Sequence, residues 1–333
     1  MPLANHLPLH PSLPLFLTSI LFSILLTISS NSWFIAWIGL EINLISFLPI
    51  MISKNNKYSS ESALKYFLIQ AMASSLIIIS TALAPLHEVQ PLITIALLLK
   101  IGAAPVHQWL PSVVDGLSWT GLSTLLSVQK VNPFILISII PKTQSLTTML
   151  YLHMTMSAIV GAIGGLSQLS LRKVLAFSSI AHTAWLLSSI NISDWVWSSY
   201  FLMYTLIMFS VVYTFWSLQM SSINQIMAST QPKSTIMLTI PLLSLGGLPP
   251  FTGFVPKLII IQTLMDTQSS FSLLILLSST FISLFFYIRL TISNMLMSNS
   301  TNTLTLTQMK VQFPLLSINL VGLLIPPLML LLL

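Results

Sequence analysis

The sequence predicts an all-α polytopic membrane protein of about eleven transmembrane helices, organised as two five-helix inverted repeats that each hold a broken helix. Three observations predict it. Of 333 residues, 55% are hydrophobic and only 5% charged, with a mean hydropathy of +0.92; a soluble domain carries about 25% charged residues. Apolar blocks of the length a bilayer requires, about 20 residues, follow one another along the chain. Two of those blocks are interrupted by glycine and proline beside a lysine. The same composition closes off other classes. With no cysteine, disulfides, thiolate metal sites and iron–sulfur ligation are excluded. The six histidines form no HExxH motif, and the close pair His6 and His10 is split by Pro8. The excess of 12 Lys+Arg over 6 Asp+Glu speaks to membrane topology before it speaks to nucleic acid.

The first span covers about Leu13 to Ile28 and the second Trp33 to Ile52, with Glu41 near the middle of the second. Hydrocarbon penalises a charged carboxylate, so an acid at this depth is a candidate for proton exchange or a hydrogen-bonded structural acid. The third span, Ala63 to Leu83, opens on Glu61 and Lys65, four residues apart and read as an interfacial pair. The fourth, Pro91 to Val114, is broken. From Pro91 to Leu99 it has no charge and only Thr94 as a polar side chain; Lys100 follows, then Gly102-Ala103-Ala104-Pro105, then His107 and Trp109. Such a run opens a helix and frees carbonyls, and a charge beside it costs a few kcal/mol at membrane depth.

Lys130 lies midway along the fifth span, Ser118 to Ile140, with Pro133 expected to loosen the helix around it. The sixth span runs from Leu146 to Leu166 and the seventh from Leu171 to Ile190. His182 sits midway along the seventh, one turn after Ser178, either as a packing residue or as a proton relay. Tyr200, Tyr204 and Tyr213 could line a polar axis in the eighth span, Val196 to Met220. The ninth, Thr235 to Met265, is the second broken one: Gly246-Gly247-Leu248-Pro249-Pro250 precedes Pro256 and Lys257. The tenth, Phe271 to Leu296, carries Arg289, expected to snorkel to the interface; the eleventh is Phe313 to Leu333.

Loop charges give the orientation. Loops after even-numbered spans hold Lys54, Lys57, Arg172, Lys173, Lys233 and Lys310 with Asp115; those after odd-numbered spans hold Lys142 with Glu88, Asp194 and Asp266. The bias of six basic residues to one puts the N-terminus inside, on the cytoplasmic or matrix side. The two breaks lie five spans apart, an odd offset, so they cross in opposite directions. Residues 31–167 then form one repeat and 168–333 its inverted copy, with 1–30 as an extra helix and tail. Met1 to Pro14 has no Lys or Arg and is neither a signal peptide nor an Arg-rich transit peptide. With 16 Met and no Cys, that suggests synthesis inside the compartment of use.

Several motifs carry a resemblance in a fixed order. They are Asn31-Ser32-Trp33, Gly39-Leu40-Glu41-Ile42-Asn43, Leu99-Lys100-Ile101-Gly102-Ala103-Ala104-Pro105 and Gln129-Lys130. Gly161-Ala162-Ile163-Gly164-Gly165-Leu166 follows, then Leu171-Arg172-Lys173, Ala176-Phe177-Ser178-Ser179-Ile180-Ala181-His182, and Ser244-Leu245-Gly246-Gly247-Leu248-Pro249-Pro250 with Lys257. Together they resemble the subunit 2 family of the mitochondrial NADH:ubiquinone oxidoreductase, an antiporter-like membrane-arm family of respiratory complex I. The resemblance implies a mitochondrially encoded, proton-translocating subunit of the inner membrane, with its N-terminus in the matrix and a shortened form of a fourteen-helix fold. It implies Glu41 and Lys100 as an interacting pair, Lys130 as the central lysine and Lys257 as the terminal one, with His182 as a further relay candidate. Val106 and Gln108 depart from the aromatic residues expected around His107. It also implies no cofactor in this chain, since NADH, FMN, iron–sulfur clusters and ubiquinone belong elsewhere in the complex. The implied partners are other membrane-arm subunits, including neighbouring antiporter-like ones, and lipids, with no nucleic acid.

Two other functions use the same residues: a free-standing cation/proton antiporter, and a spacer that does not pump. The desolvation cost of the intramembrane lysines argues against the spacer. A cysteine introduced at Asn299 is expected to label from the side of the N-terminus; labelling from the opposite face alone contradicts both orientation and span count.

Overall fold

A computed structural model describes residues 13–52, 56–83, 90–228, 232–297 and 319. The chain is built from helices because nothing else spans hydrocarbon with every backbone group satisfied internally, short of a closed barrel. The early elements are α1 (Leu13–Ile28), α2 (Trp33–Met51) and α3 (Lys57–Leu83). The fourth span is split into α4 (Gln90–Ile101) and α5 (Trp109–Val114), and the fifth into α6 (Trp119–Leu126) and α7 (Val128–Ile139). There follow α8 (Gln144–Leu166), α9 (Leu171–Ile192), α10 (Asp194–Ser217) and a short α11 (Ile223–Ala228). The ninth span is split into α12 (Pro232–Gly246) and α13 (Phe254–Asp266), and α14 (Ser270–Met297) follows. Among the described residues, seven helical stretches are long and apolar enough to cross a membrane, with α1, α4 and part of α12 as shorter apolar pieces. The predicted eleventh span lies outside the described residues except for Asn319, as do Lys54, Glu88, Lys310, Asn299, His6 and His10.

Helix starts are set by short polar side chains: Ser32, Ser118, Thr143 and Ser193 each accept a bond from the backbone N–H three residues on. Inside the helices, serine and threonine hydroxyls donate to carbonyls three or four residues back, as Ser23 does to Ile20 and Ser178 to Leu175, so they cross hydrocarbon without unmet donors. Two features depart from expectation. The fifth span does not loosen at Pro133, which lies inside α7; it opens at Ser127, three residues before Lys130. There the Ser127 hydroxyl donates to Ser123 O at 2.5 Å, sharing that carbonyl with its own backbone N–H. The other is α11, nucleated where Gln225 Oε1 accepts from Ser221 and Ser222.

Alternation of the spans is visible at their ends. Lys173 Nζ pairs with Asp115 Oδ2 at 2.6 Å, and Arg172 donates to the Asp115 carbonyl. Leu171 N–H donates to Ser221 O, and Gly116 backs onto Tyr58 and Ser62. The loops after the second, fourth, sixth and eighth spans therefore meet at one end. At the other, Thr143 donates to Gln90 Oε1. Arg289 does more than snorkel: its guanidinium donates to Leu166 O at 3.0 Å and to Gln168 O, covering the carbonyl end of α8.

The packing has a central column. Of the 22 residues of α9, 16 are buried, whereas α1 exposes Leu15, Leu21, Phe22 and Leu25, the outward apolar face lipid would cover. Small residues let α8 approach α9: a Cβ added at Gly161 would stand 2.5 Å from the Ala181 nitrogen. Gly161→Ala is expected to force these helices apart and destabilise the protein by about 1–3 kcal/mol, checked as the unfolding midpoint of purified protein; an unchanged midpoint contradicts the packing.

Candidate functional site: a buried polar axis

Each broken span stops its first half-helix in the same way. Gly102 has φ +79° and Gly247 φ +78°, the left-handed conformation that lacks a Cβ penalty only in glycine. Gly102 N–H reaches Leu99 O and Ala103 N–H reaches Leu98 O; Gly247 N–H reaches Ser244 O and Leu248 N–H reaches Leu243 O. These are two Schellman ends in the same register. The second half-helices also begin alike, seven residues after each glycine, at Trp109 and Phe254. In the first turns Leu110 N–H donates to His107 O, and Val255 N–H to Thr252 O.

The lysines sit on opposite sides of these breaks, Lys100 before the first and Lys257 after the second. Lys100, 7% exposed, lies in the last turn of α4, where the carbonyl end of the helix favours a cation. Lys257, 6% exposed, lies in the first turn of α13, where the dipole opposes a cation. It reaches back across the break and donates to Gly246 O at the end of α12, 2.9 Å away. Both lysines are thus tied to the carbonyl end of an interrupted helix, Lys100 by its place in the last turn of α4 and Lys257 by its bond to Gly246 O.

Lys100 and Lys130 line one cavity of about 20 Å³ with Asn43, Tyr66, Gln70 and Gln129, enough space for a water molecule. Its walls are tied by amides: Tyr66 OH donates to Gln129 Oε1 at 3.1 Å, and Gln129 Nε2 to Asn43 Oδ1 at 3.0 Å. Gln70 Nε2 donates to the carbonyl of Lys100 itself. Glu41 is half-buried on α2 and lies in the field of Lys100. Among the described residues the ion pairs within 4.0 Å are Lys65–Glu61 and Lys173–Asp115, so Glu41 and Lys100 act on one another across space, not by contact.

From Lys130 the axis passes to α9. Lys130 Nζ lies 3.5 Å from Ser179 O and 5.9 Å from the centre of the Tyr204 ring. Tyr204 packs against His182 at 5.0 Å and donates to Leu126 O at the opening of the fifth span. His182 shares a 2.9 Å hydrogen bond with Tyr200 and lies in the field of both Lys130 and Lys257. A second cavity, about 10 Å³, joins His182 to Lys257 beside Trp185, Ser283 and Tyr287. Tyr213 instead packs on Trp216.

The structure therefore brings Lys100, Lys130, His182 and Lys257 into one buried sequence, with Glu41 at its edge. Sequence reasoning passed over Gln70, Tyr66 and the amide roles of Asn43 and Gln129. Gln70, inside Leu68-Ile69-Gln70-Ala71-Met72, carries the same signal as the lysines, a polar group in an apolar run.

The family described as NADH:quinone oxidoreductase/Mrp antiporter, TM, matches residues 30–87 and 85–283. NADH-ubiquinone oxidoreductase chain 2 of Anopheles gambiae is 41% identical over 304 residues, 87% of each chain. That of Xenopus laevis is 39% identical over 307 residues, 87% of this chain and 88% of its own. Among solved structures, a chain of respiratory complex I from Thermus thermophilus with bound aureothin superposes with a TM-score of 0.82 at 20% identity, covering 94% of this chain and 78% of its own. A chain of the Mrp complex from Dietzia sp. does so with a TM-score of 0.75 at 15% identity, covering 87% and 61%. These two likenesses concern the fold alone.

A Cβ at Gly247 would stand 2.8 Å from Lys257 Nζ, and one at Gly102 would stand 2.9 Å from Leu110 Cδ1. Gly102→Ala and Gly247→Ala are each expected to cost about 1–2 kcal/mol for the left-handed backbone alone, read as a lowered unfolding midpoint; unchanged midpoints in both contradict the Schellman ends.

Proposed function

Because the chain belongs to the NADH:quinone oxidoreductase/Mrp antiporter family, and within it groups with NADH-ubiquinone oxidoreductase chain 2, we propose that it is a proton-translocating core subunit of a respiratory NADH:ubiquinone oxidoreductase. Other membrane-arm subunits of that complex pack around it. The observation that carries this reading is the buried axis: three lysines and a histidine joined by two small cavities and by α9, two of those lysines at helix breaks. A spacer has no reason to hold three ammonium groups in a low dielectric.

In this scheme Glu41 biases Lys100 through its field. Moving the acid's charge, or neutralising it, changes how well the site tolerates a charged Lys100. A proton released there reaches Lys130 through water in the shared cavity, and His182 then connects Lys130 to Lys257. Each proton moved against about 100 mV needs roughly 2.3 kcal/mol, on the scale of one strengthened charge interaction at low dielectric. The driving redox reaction takes place in other subunits, and this chain's part is to bind, hold and pass protons.

The matched breaks also support the reading of residues 31–167 and 168–333 as inverted repeats. The family and the loop charges support a place in the mitochondrial inner membrane with the N-terminus on the matrix side. Lys100→Met keeps the length and apolar bulk of the side chain and removes its proton. In the intact complex it is expected to cut proton pumping by half or more while assembly is retained; full pumping in an assembled K100M complex overturns the scheme.

A further inference from the structure

The first break depends on a residue that plays no part in the axis. Between α4 and α5 the backbone is irregular, and the Ala104 carbonyl precedes a proline. Its partner is His153 on α8, whose Nδ1 lies 2.8 Å away; a carbonyl only accepts, so Nδ1 carries the proton and donates. Both residues are buried, Ala104 completely. In hydrocarbon an irregular segment persists only where protein groups satisfy its backbone.

The second break is held from the equivalent place. Asn319, from the predicted eleventh span, accepts Thr252 N–H on its own carbonyl. Its side chain meets Ser244 Oγ of α12 at 3.1 Å and donates to Ser210 Oγ of α10. His153 stands on the sixth span and Asn319 on the eleventh, the last span of each half. Each contacts the loop a few residues beyond its left-handed glycine: Ala104 follows Gly102 by two positions and Thr252 follows Gly247 by five.

We propose that His153 is a positioning residue that latches the first broken segment and thereby fixes where the Lys100 ammonium stands over the cavity it shares with Lys130. The proposal rests on the proton-translocating role given above for Lys100. Lys100 and Ala104 are separated only by the Schellman turn, so loop 102–108 cannot repack without moving the end of α4. A site left loose by about 1 Å no longer holds its working geometry.

The test compares variants in the intact complex, reading protons pumped per NADH oxidised, with assembly measured alongside. His153→Leu keeps bulk but has no donor; His153→Asn carries an amide nitrogen about where Nδ1 stands. The expected result is at least a twofold fall in the ratio for H153L and a near-normal ratio for H153N. A normal ratio in assembled H153L overturns the latch, and so does an equal loss in H153L and H153N. Should H153L fail to assemble, His153→Gln, with its donor displaced, takes its place: a lowered ratio supports the latch and a normal one overturns it. K100M measured in parallel separates the two ideas. Pumping lost in K100M but kept in H153L sinks only the latch, whereas pumping kept in K100M sinks the role of Lys100 itself.

Discussion

The constraint on which this structure depends is that a helix stopped inside hydrocarbon leaves carbonyls that water cannot reach. Each has to be met by protein. At the first break Leu99 O takes the Trp109 indole, Lys100 O takes Gln70 and Ala104 O takes His153. At the second, Gly246 O takes the Lys257 ammonium and Asn319 accepts the Thr252 amide. Side chains from α3, α5, α8 and α13 are thereby committed to the two interruptions. The reward is a pair of negative helix ends inside a low dielectric, an environment that favours a charged lysine.

The column α9 then joins the two sites. It is buried along most of its length because small residues on α8 allow close approach and because its serines bond back to its own turns. Ser179 presents its carbonyl to Lys130, and three residues on His182 faces the cavity it shares with Lys257. Neighbouring turns of one rigid helix thus touch both halves of the axis.

How legible all this was in the sequence depends on the range of the physics involved. α1 ends at Ile28, where its apolar block ends, since hydrophobic length sets that bound. Both Gly/Pro breaks were readable because glycine and proline act on their own backbone. The break at Ser127 was not: serine is ordinary in a membrane helix, and what distinguishes this one is the hold of Tyr204, far along the chain, on Leu126 O. The lysines announced themselves through desolvation cost, but their alignment did not, because it is made by contacts such as Lys130 to Ser179, 49 residues apart. His153 and Asn319 were silent for the same reason, since each binds backbone atoms that no local pattern reveals.

The directions of the two half-helices sharpen what the axis can do. The loops place the start of α4 at one end of the molecule and the start of α12 at the other. Their carbonyl ends therefore point at mid-depth from opposite faces. Each carries about half an elementary negative charge, so together they offset about one of the buried positive charges. Lys130 and His182 lie between them: Lys130 follows the end of α6 by four residues and meets Ser179 O, and His182 has the backbone of Leu245, near the end of α12, among its partners. The axis thus lies between the two termini and passes across spans, from α4 through α7 and α9 to α13. The axis therefore crosses from one half of the chain to the other and does not follow any one span. At the first break, side-chain bonds from Gln70, Trp109 and His153 join the backbone Schellman bonds in holding the segment, so its carbonyls can change partner without unwinding a helix.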